Sequence, residues 1–250
     1  MSEKNSSTLP ALSSLGFFIA VGLIISSLLV SKSFERVKLA SQVITVKGLS
    51  TKSIKADLGI WDGGFSVQEQ SLEKAYVLYE QTEARVLAHL TSLGVSLGTL
   101  HKSPVYHVRH LKYNDKGQPT GEISHFEVSR NYSYEEKDVA VIARLVEIYP
   151  ELLKKGITIT GNNARYLYTK LDDIKSDLLG EAAEDALNRA KSLVEKTGSK
   201  VGVLRTARQG VFQVTPENSQ DVSDYGYNDT SSIKKSAKAI VTASFAIKAN

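Results

Sequence analysis

The stretch Val43–Val67, VITVKGLSTKSIKADLGIWDGGFSV, decides how the fold is read. Ile44 and Val46 open a strand, and the polar run Gly48–Ser53 reads as a turn. Ile54, Ala56, Leu58 and Ile60 then alternate with Lys55 and Asp57, which puts the apolar residues on one face of an extended segment. Beyond Asp62-Gly63-Gly64 the apolar residues Phe65 and Val67 resume on the opposite parity. One extra residue in a strand is a β-bulge, and glycines tolerate its dihedrals; a break between two strands gives the same pattern. The stretch predicts an opening hairpin with an irregularity at residues 62–64.

Outward from it, helical and extended patterns mix. Ser71 caps a predicted helix to Leu93, with Leu72, Ala75, Tyr76, Tyr79, Val86, Leu87, Leu90 and Leu93 as its apolar stripe and Gly94 as its stop. Thr99–Tyr113 and Glu122–Tyr134 form a hairpin around NDKGQPTG; on its second arm Phe126, Val128, Tyr132 and Tyr134 oppose the polar His125, Glu127, Ser129, Asn131 and Ser133. A helix from about Asp138 buries Val139, Ile142, Leu145, Val146 and Tyr149, is bent or interrupted at Pro150 and stops at Gly156. Ile157–Tyr168 is extended. The longest helix, Asp172–Thr197, presents Ile174, Leu178, Ala182, Ala186, Ala190 and Leu193. Strands follow at Val201–Val214 and Ala237–Lys248. Neighbouring hairpins and segregated helices define an α+β class: a largely antiparallel sheet with three helices packed on it.

Residues 9–31 carry no charge, and a helix from Ala11 to Val30 would be about 30 Å long, the thickness of a bilayer core. The one small-x-small pattern behind it, Ser31 and Ser33, encloses Lys32 and makes a poor cleavage site. The expected organisation is a short tail (1–8), a transmembrane anchor or signal segment (9–31), a linker (32–42) and an α+β domain (43–250). Lys and Arg flanking the segment favour a cytoplasmic domain, but long domains cross regardless of such counts.

The 250 residues contain no cysteine, which excludes disulfides, thiolate metal sites and cysteine nucleophiles. A net charge of +4 with no block of like charges does not suggest a nucleic-acid partner. Four of the five histidines fall in the predicted hairpin. A metal there would have to use His107, His110 and His125, of which one register brings His110 beside His125 but supplies no evident third ligand. Neither a metal nor another cofactor is expected. Residues 215–235 lack apolar periodicity and gather Asp221, Asp224, Tyr225, Tyr227 and Asp229, a candidate interaction loop. Ala182, Ala186 and Ala190 permit close approach to a helix face, first within the fold and alternatively from another subunit. Nucleophile-elbow, zinc-protease, dinucleotide and phosphate-loop motifs do not occur, and no catalytic residue is assigned.

Several strings together resemble the SIMPL-domain family, whose bacterial members include periplasmic immunogenic and oxidative-stress-defence proteins. They are ITVKG with ADLGIW, FEVSRNYSYEEKDV, YLYTKLDDIKSDLLGEAAEDALNRAKSLVEKTGSKVGVL, and GVFQVTPENSQDVSDYGYNDTSSIKK with AIVTASFAIK. The resemblance implies an α+β domain, export to the periplasm and, in some members, ring- or channel-like homo-oligomers; it carries over no catalytic residues. With the apolar segment retained, it implies a protein of the bacterial inner membrane with its C-terminal domain in the periplasm, or a soluble periplasmic one if the segment is cleaved.

Overall fold

The computed structural model describes residues 19–28, 30–31, 42–219 and 225–249. Residues 19–28 are helical (α1). Among the described residues no helix is long and apolar enough to cross a membrane. The expected anchor begins at residue 9, and residues 9–18 and 29 lie outside the described part.

The remaining elements are β1 (Val43–Lys55), β2 (Leu58–Glu69), α2 (Leu72–Ser92), β3 (His101–Lys102), β4 (Tyr106–Tyr113), β5 (Pro119–Glu136), α3 (Val139–Lys154), β6 (Thr158–Leu167), α4 (Leu171–Glu195), β7 (Ser199–Gln209), β8 (Gln213–Pro216), β9 (Tyr227–Asn228) and β10 (Lys234–Ala249). The α+β class is as read from the sequence, but the expected single sheet is two five-stranded ones. One runs β1-β10-β8-β9 with β7 also on β10, the other β3-β5-β2-β6 with β4 also on β5. The chain divides into two compact units, one within Met1–Ser50, Leu179–Gly210 and Ile240–Asn250, the other within Thr51–Leu178 and Val211–Ala239.

The opening stretch is therefore not a hairpin. β1 continues through the polar run Gly48–Ser53, and β1 and β2 join different sheets. Gly48 serves close packing rather than a turn: a Cβ there would lie 2.5 Å from Ala186 N on α4 and would overlap Ala182 O. In β2 the buried face is the odd one. Gly59 receives Ile142, the Trp61 indole folds over Gly63, and Phe65 and Val67 complete the row. The apparent switch of parity at residues 62–64 arises because Ile60 is buried as well, on the opposite face. Pairing of β2 with β5 is unbroken through Gly64. The irregularity exists at that level but belongs to β6, where Gly63 pairs with Asn162 and Phe65 with Ile159, so the extra residue is on the partner strand, next to Gly161 at φ +71°.

α2 begins on Ser71, whose side chain accepts the Lys74 N–H, and Gly94 ends it at φ +93°. Its buried row is Ala75, Tyr79, Thr82, Val86 and Leu90, while Leu72 and Tyr76, expected in the core, are 40% and 47% exposed. α3 starts on Asp138 and runs through Pro150. Proline has no N–H for the carbonyl four residues back. That carbonyl, Val146 O, instead accepts Asn162 Nδ2 at 2.7 Å, and Asn162 Oδ1 accepts the buried Trp61 Nε1–H at 2.8 Å. One β6 side chain thus supplies the bond that Pro150 removes and satisfies the indole. Asn162→Ala is expected to lower stability by about 2 kcal/mol in urea unfolding, through two buried groups left unpaired. In a Pro150→Ala background, where residue 150 offers Val146 O its own N–H, the cost should fall to about half.

Candidate functional site

The face of β2 opposite the buried row carries a polar cleft of about 460 Å³. Cross-strand register builds it. Asp62 pairs with Ser133 on β5 and Asn163 on β6, His101 on β3 pairs with Ser133, and Asn131 pairs with Gly64. Gly64 lets Asn131 and Thr160 close over the strand, since a Cβ would press on Asn131 Oδ1, Arg130 O and Thr160 Oγ1. Ser133 Oγ donates to Asp62 Oδ1 at 2.7 Å, and Arg165 Nη2 donates to Asp62 Oδ2 at 2.9 Å. Both carboxylate oxygens are engaged, one by a guanidinium, and Ser133 gives its proton to the carboxylate rather than to an imidazole. This order of groups does not make a serine nucleophile, which needs the imidazole between serine and carboxylate. Hydroxyls and amides suit recognition of polar groups. The polar alternation Ser129, Asn131, Ser133 was legible in sequence; the partners Asp62 and Asn163 depend on register.

The hairpin histidines divide between the two faces. His107 pairs with the buried Val128 and lies on the helix side of the sheet, whereas His110 pairs with His125 on the other side. The expected side-by-side register of His110 and His125 is present, with rings stacked 4.5 Å apart and 13° from parallel. Stacked rings turn their faces to each other, while metal binding uses lone pairs in the ring plane; His110 Nε2 meets Glu127 Oε2 at 3.0 Å instead. Three residues along a strand reverse the face, so His107, His110 and His125 do not converge on a metal. Among the described residues no group of three or more His, Cys, Asp and Glu could hold one.

On the helix side, Glu83 of α2 gathers three donors. Arg130 Nη1 lies 2.7 Å from its Oε1, Tyr132 OH donates to Oε1 at 2.9 Å, and Tyr79 OH to Oε2 at 2.8 Å. Phe65 stacks on Tyr79 at 5.4 Å. Burial pushes the Glu83 carboxyl upward, but the hydrogen bonds from Tyr79, Arg130 and Tyr132 and the Arg130 charge prevail and hold it below the ordinary carboxylate range. Burial, together with donation to this carboxylate, raises both phenols. The sequence signal was a charged residue, Arg130, at an apolar parity between Val128 and Tyr132; its partner 47 residues earlier, Glu83, was not legible.

The late loop is divided as well. Asp221 and Asp224 lie outside the described residues, and Tyr225 and Tyr227 are exposed. Asp229 is buried, so its carboxylate is not on a surface that a partner would meet. It accepts Lys235 Nζ at 2.8 Å, Ser231 N and Oγ at 2.9 and 2.7 Å, and both N and Oγ of Ser232. Lys235 Nζ, fully buried, also donates to Asp229 O at 2.6 Å. Flanking backbone bonds, Ala56 N to Ile233 O and Tyr166 N to Thr230 O, fasten the segment. Burial works against ionisation of Asp229, yet the bonds from Lys235, Ser231 and Ser232 prevail and hold its carboxyl far below the ordinary range.

Ala182, Ala186 and Ala190 are fully buried within the chain, so the first of the two expected roles for this stripe holds and the stripe offers no surface to another subunit. It continues to Val194 rather than Leu193, which is 59% exposed, because a spacing of four from Leu178 selects residue 194. On the same helix, Glu181 accepts Ser50 Oγ and Asp185 accepts Leu49 N, which seats β1 against it.

The class defined by these features is an α+β protein of two largely antiparallel sheets. The family model for SIMPL, described as protein of unknown function (DUF541), matches residues 44–246. The chain belongs to the SIMPL family. No curated protein matches it.

Proposed function

We propose that this SIMPL protein is a non-enzymatic component of the bacterial envelope. Residues 9–31 anchor it in the inner membrane, the C-terminal domain (43–250) lies in the periplasm, and it acts there by self-assembly or partner binding, in stress defence. The observation that supports this best is the state of the sheet edges. Among the described residues β4 pairs only with β5 and β7 only with β10, and each carries exposed apolar side chains: Tyr106 and Val108 on β4, Val203 and Leu204 on β7. Monomeric proteins protect such edges, because unpaired N–H and C=O groups beside apolar residues invite another chain. The other reading, a metal- or ligand-dependent enzyme built on the hairpin histidines or the 215–235 loop, has less support. His107 and His110 face opposite ways, and Asp229 is consumed internally.

Light scattering after size-exclusion chromatography of the detergent-solubilised full chain tests assembly, with a defined oligomer expected and a strict monomer counting against it. Because the chain lacks cysteine, Tyr225→Cys introduces a single thiol at a 98% exposed position. A membrane-impermeant maleimide should label it in intact spheroplasts; labelling only after lysis would reverse the orientation.

A further inference from the structure

Among the described residues β4 pairs only with β5, so its outer edge is free along Tyr106–Tyr113. The α2 flank beside this edge is uncovered too. Leu72, Tyr76 and Val77 stand exposed at a groove of about 560 Å³ that Glu73, Val105, His107 and Val128 complete, while Ala75 and Tyr79 from the same turns are buried. On the other side of the sheet Tyr106 and Val108 are exposed as well. A further strand on β4 would cover both faces at once, its side chains alternating between them.

Charge selects the strand. Within β4, His110 meets Glu127, and Lys112 is paired with Glu122. Glu73, which lines the groove, and Arg109 are both exposed, and neither has an ion-pair partner among the described residues. Arg109 pairs with Phe126 and so stands on the same side of the sheet as His107, which pairs with Val128, but one step beyond the groove. Glu69 shares that side and is separated from Arg109 by Phe126 of β5. Arg109 does not line the groove of its own chain; by two-fold symmetry it can serve that of a copy. A second β4 running antiparallel, with Val108 opposite Val108, sets Arg109 of each copy against His107 of the other, beside Glu73. There the guanidinium stacks on the imidazole and pairs with the carboxylate. A slip of one residue turns that guanidinium to the opposite face, and centring on position 109 sets the two arginines against each other. Centring on His107 leaves only Tyr106–Val108 of the strand paired. We propose that β4 is a homodimer edge: two copies join their second sheets through β4, centred on Val108, and exchange Glu73–Arg109 pairs across the seam. This deepens the self-assembly part of the function proposed above and rests on it.

The absence of cysteine makes the register measurable in the detergent-solubilised full chain. Val108→Cys introduces one thiol at an exposed position that faces its own copy across the axis, about 5 Å apart between Cα atoms and within disulfide range. Tyr106→Cys, also exposed, sets its two thiols about 14 Å apart along the strands. Under mild oxidation Val108→Cys should form a covalent dimer at least about five-fold faster than Tyr106→Cys. Arg109→Glu should raise the concentration at which the dimer dissociates about ten-fold, through two repelling pairs in place of two attracting ones. Adding Glu73→Arg to Arg109→Glu should restore the dimer, a rescue that misfolding cannot produce. Equal cross-linking by the two cysteines, or a double variant no tighter than Arg109→Glu, would overturn the interface. Light scattering on the same samples separates this edge from the broader reading. An oligomer that none of these variants alters keeps self-assembly and removes this interface, whereas a strict monomer removes both and leaves the edge to a different protein.

Discussion

Asp229→Ala is expected to destabilise the protein by about 3 to 5 kcal/mol. The reason is not the strength of an isolated ion pair. Taking the carboxylate away leaves the Lys235 ammonium fully buried with one carbonyl, Asp229 O, as its remaining partner, and takes the acceptor from Ser231 N, Ser231 Oγ and Ser232 N, while Ser232 Oγ keeps Lys234 O. Desolvating an ammonium without a counter-charge is what costs most. Lys235→Met alone should be costly for the converse reason. The double variant Asp229→Asn with Lys235→Met removes both charges while keeping an acceptor for the serines, and should recover at least half of the single-variant loss. Urea unfolding of the native chain, Asp229→Asn, Lys235→Met and the double variant measures this; strictly additive losses would mean the pair is not coupled.

The same carboxylate sets an acid dependence. Its folded pKa lies below the value of about 3.9 for an unfolded aspartate, so the stabilisation is complete above that value. It is lost as pH falls through the unfolded value toward the folded one. Between pH 6 and pH 2 the unfolding midpoint of the native chain should drop more steeply than that of Asp229→Asn. Glu83 is shifted the same way and adds a dependence of the same sign.

Glu83→Ala should cost about 3 kcal/mol, since it deprives Arg130, Tyr79 and Tyr132 of one shared acceptor at a half-buried site. A spectroscopic mark accompanies the loss. Alkaline absorbance titration of the native chain should leave Tyr79 and Tyr132 unionised well beyond the ordinary phenol range, because burial and donation to a carboxylate both oppose their ionisation. In Glu83→Ala both should titrate earlier. If the early-titrating population is unchanged, the phenols are held up by burial alone.

Both networks join residues that neither period nor propensity connects. Asp229 stands in a segment without apolar alternation, which reads as a loop seeking a partner; its partner is the chain itself, six residues on, at Lys235. Glu83 falls among exposed helix residues in sequence, and only the crossing of α2 over β5 puts Arg130 and Tyr132 beneath it. The glycine at position 48 misled in a similar way. Gly is the usual mark of a turn, yet here it admits the backbone of α4.

What the sequence determined by itself was local: the helix starts at Ser71 and Asp138, the helix ends at Gly94, Gly156 and Gly198, the period-two alternation of β5 and β10, and the strings that mark the SIMPL family. These follow from hydrogen bonds and dihedrals within a few residues, or from the side-chain period of a single element. The tertiary structure decided which strands share a sheet, on which strand the bulge at the level of Gly64 falls, which histidines meet, and that Asp229 faces inward. Those outcomes depend on register between segments up to about two hundred residues apart. A shift of one residue exchanges the faces of a strand, and no local pattern records it.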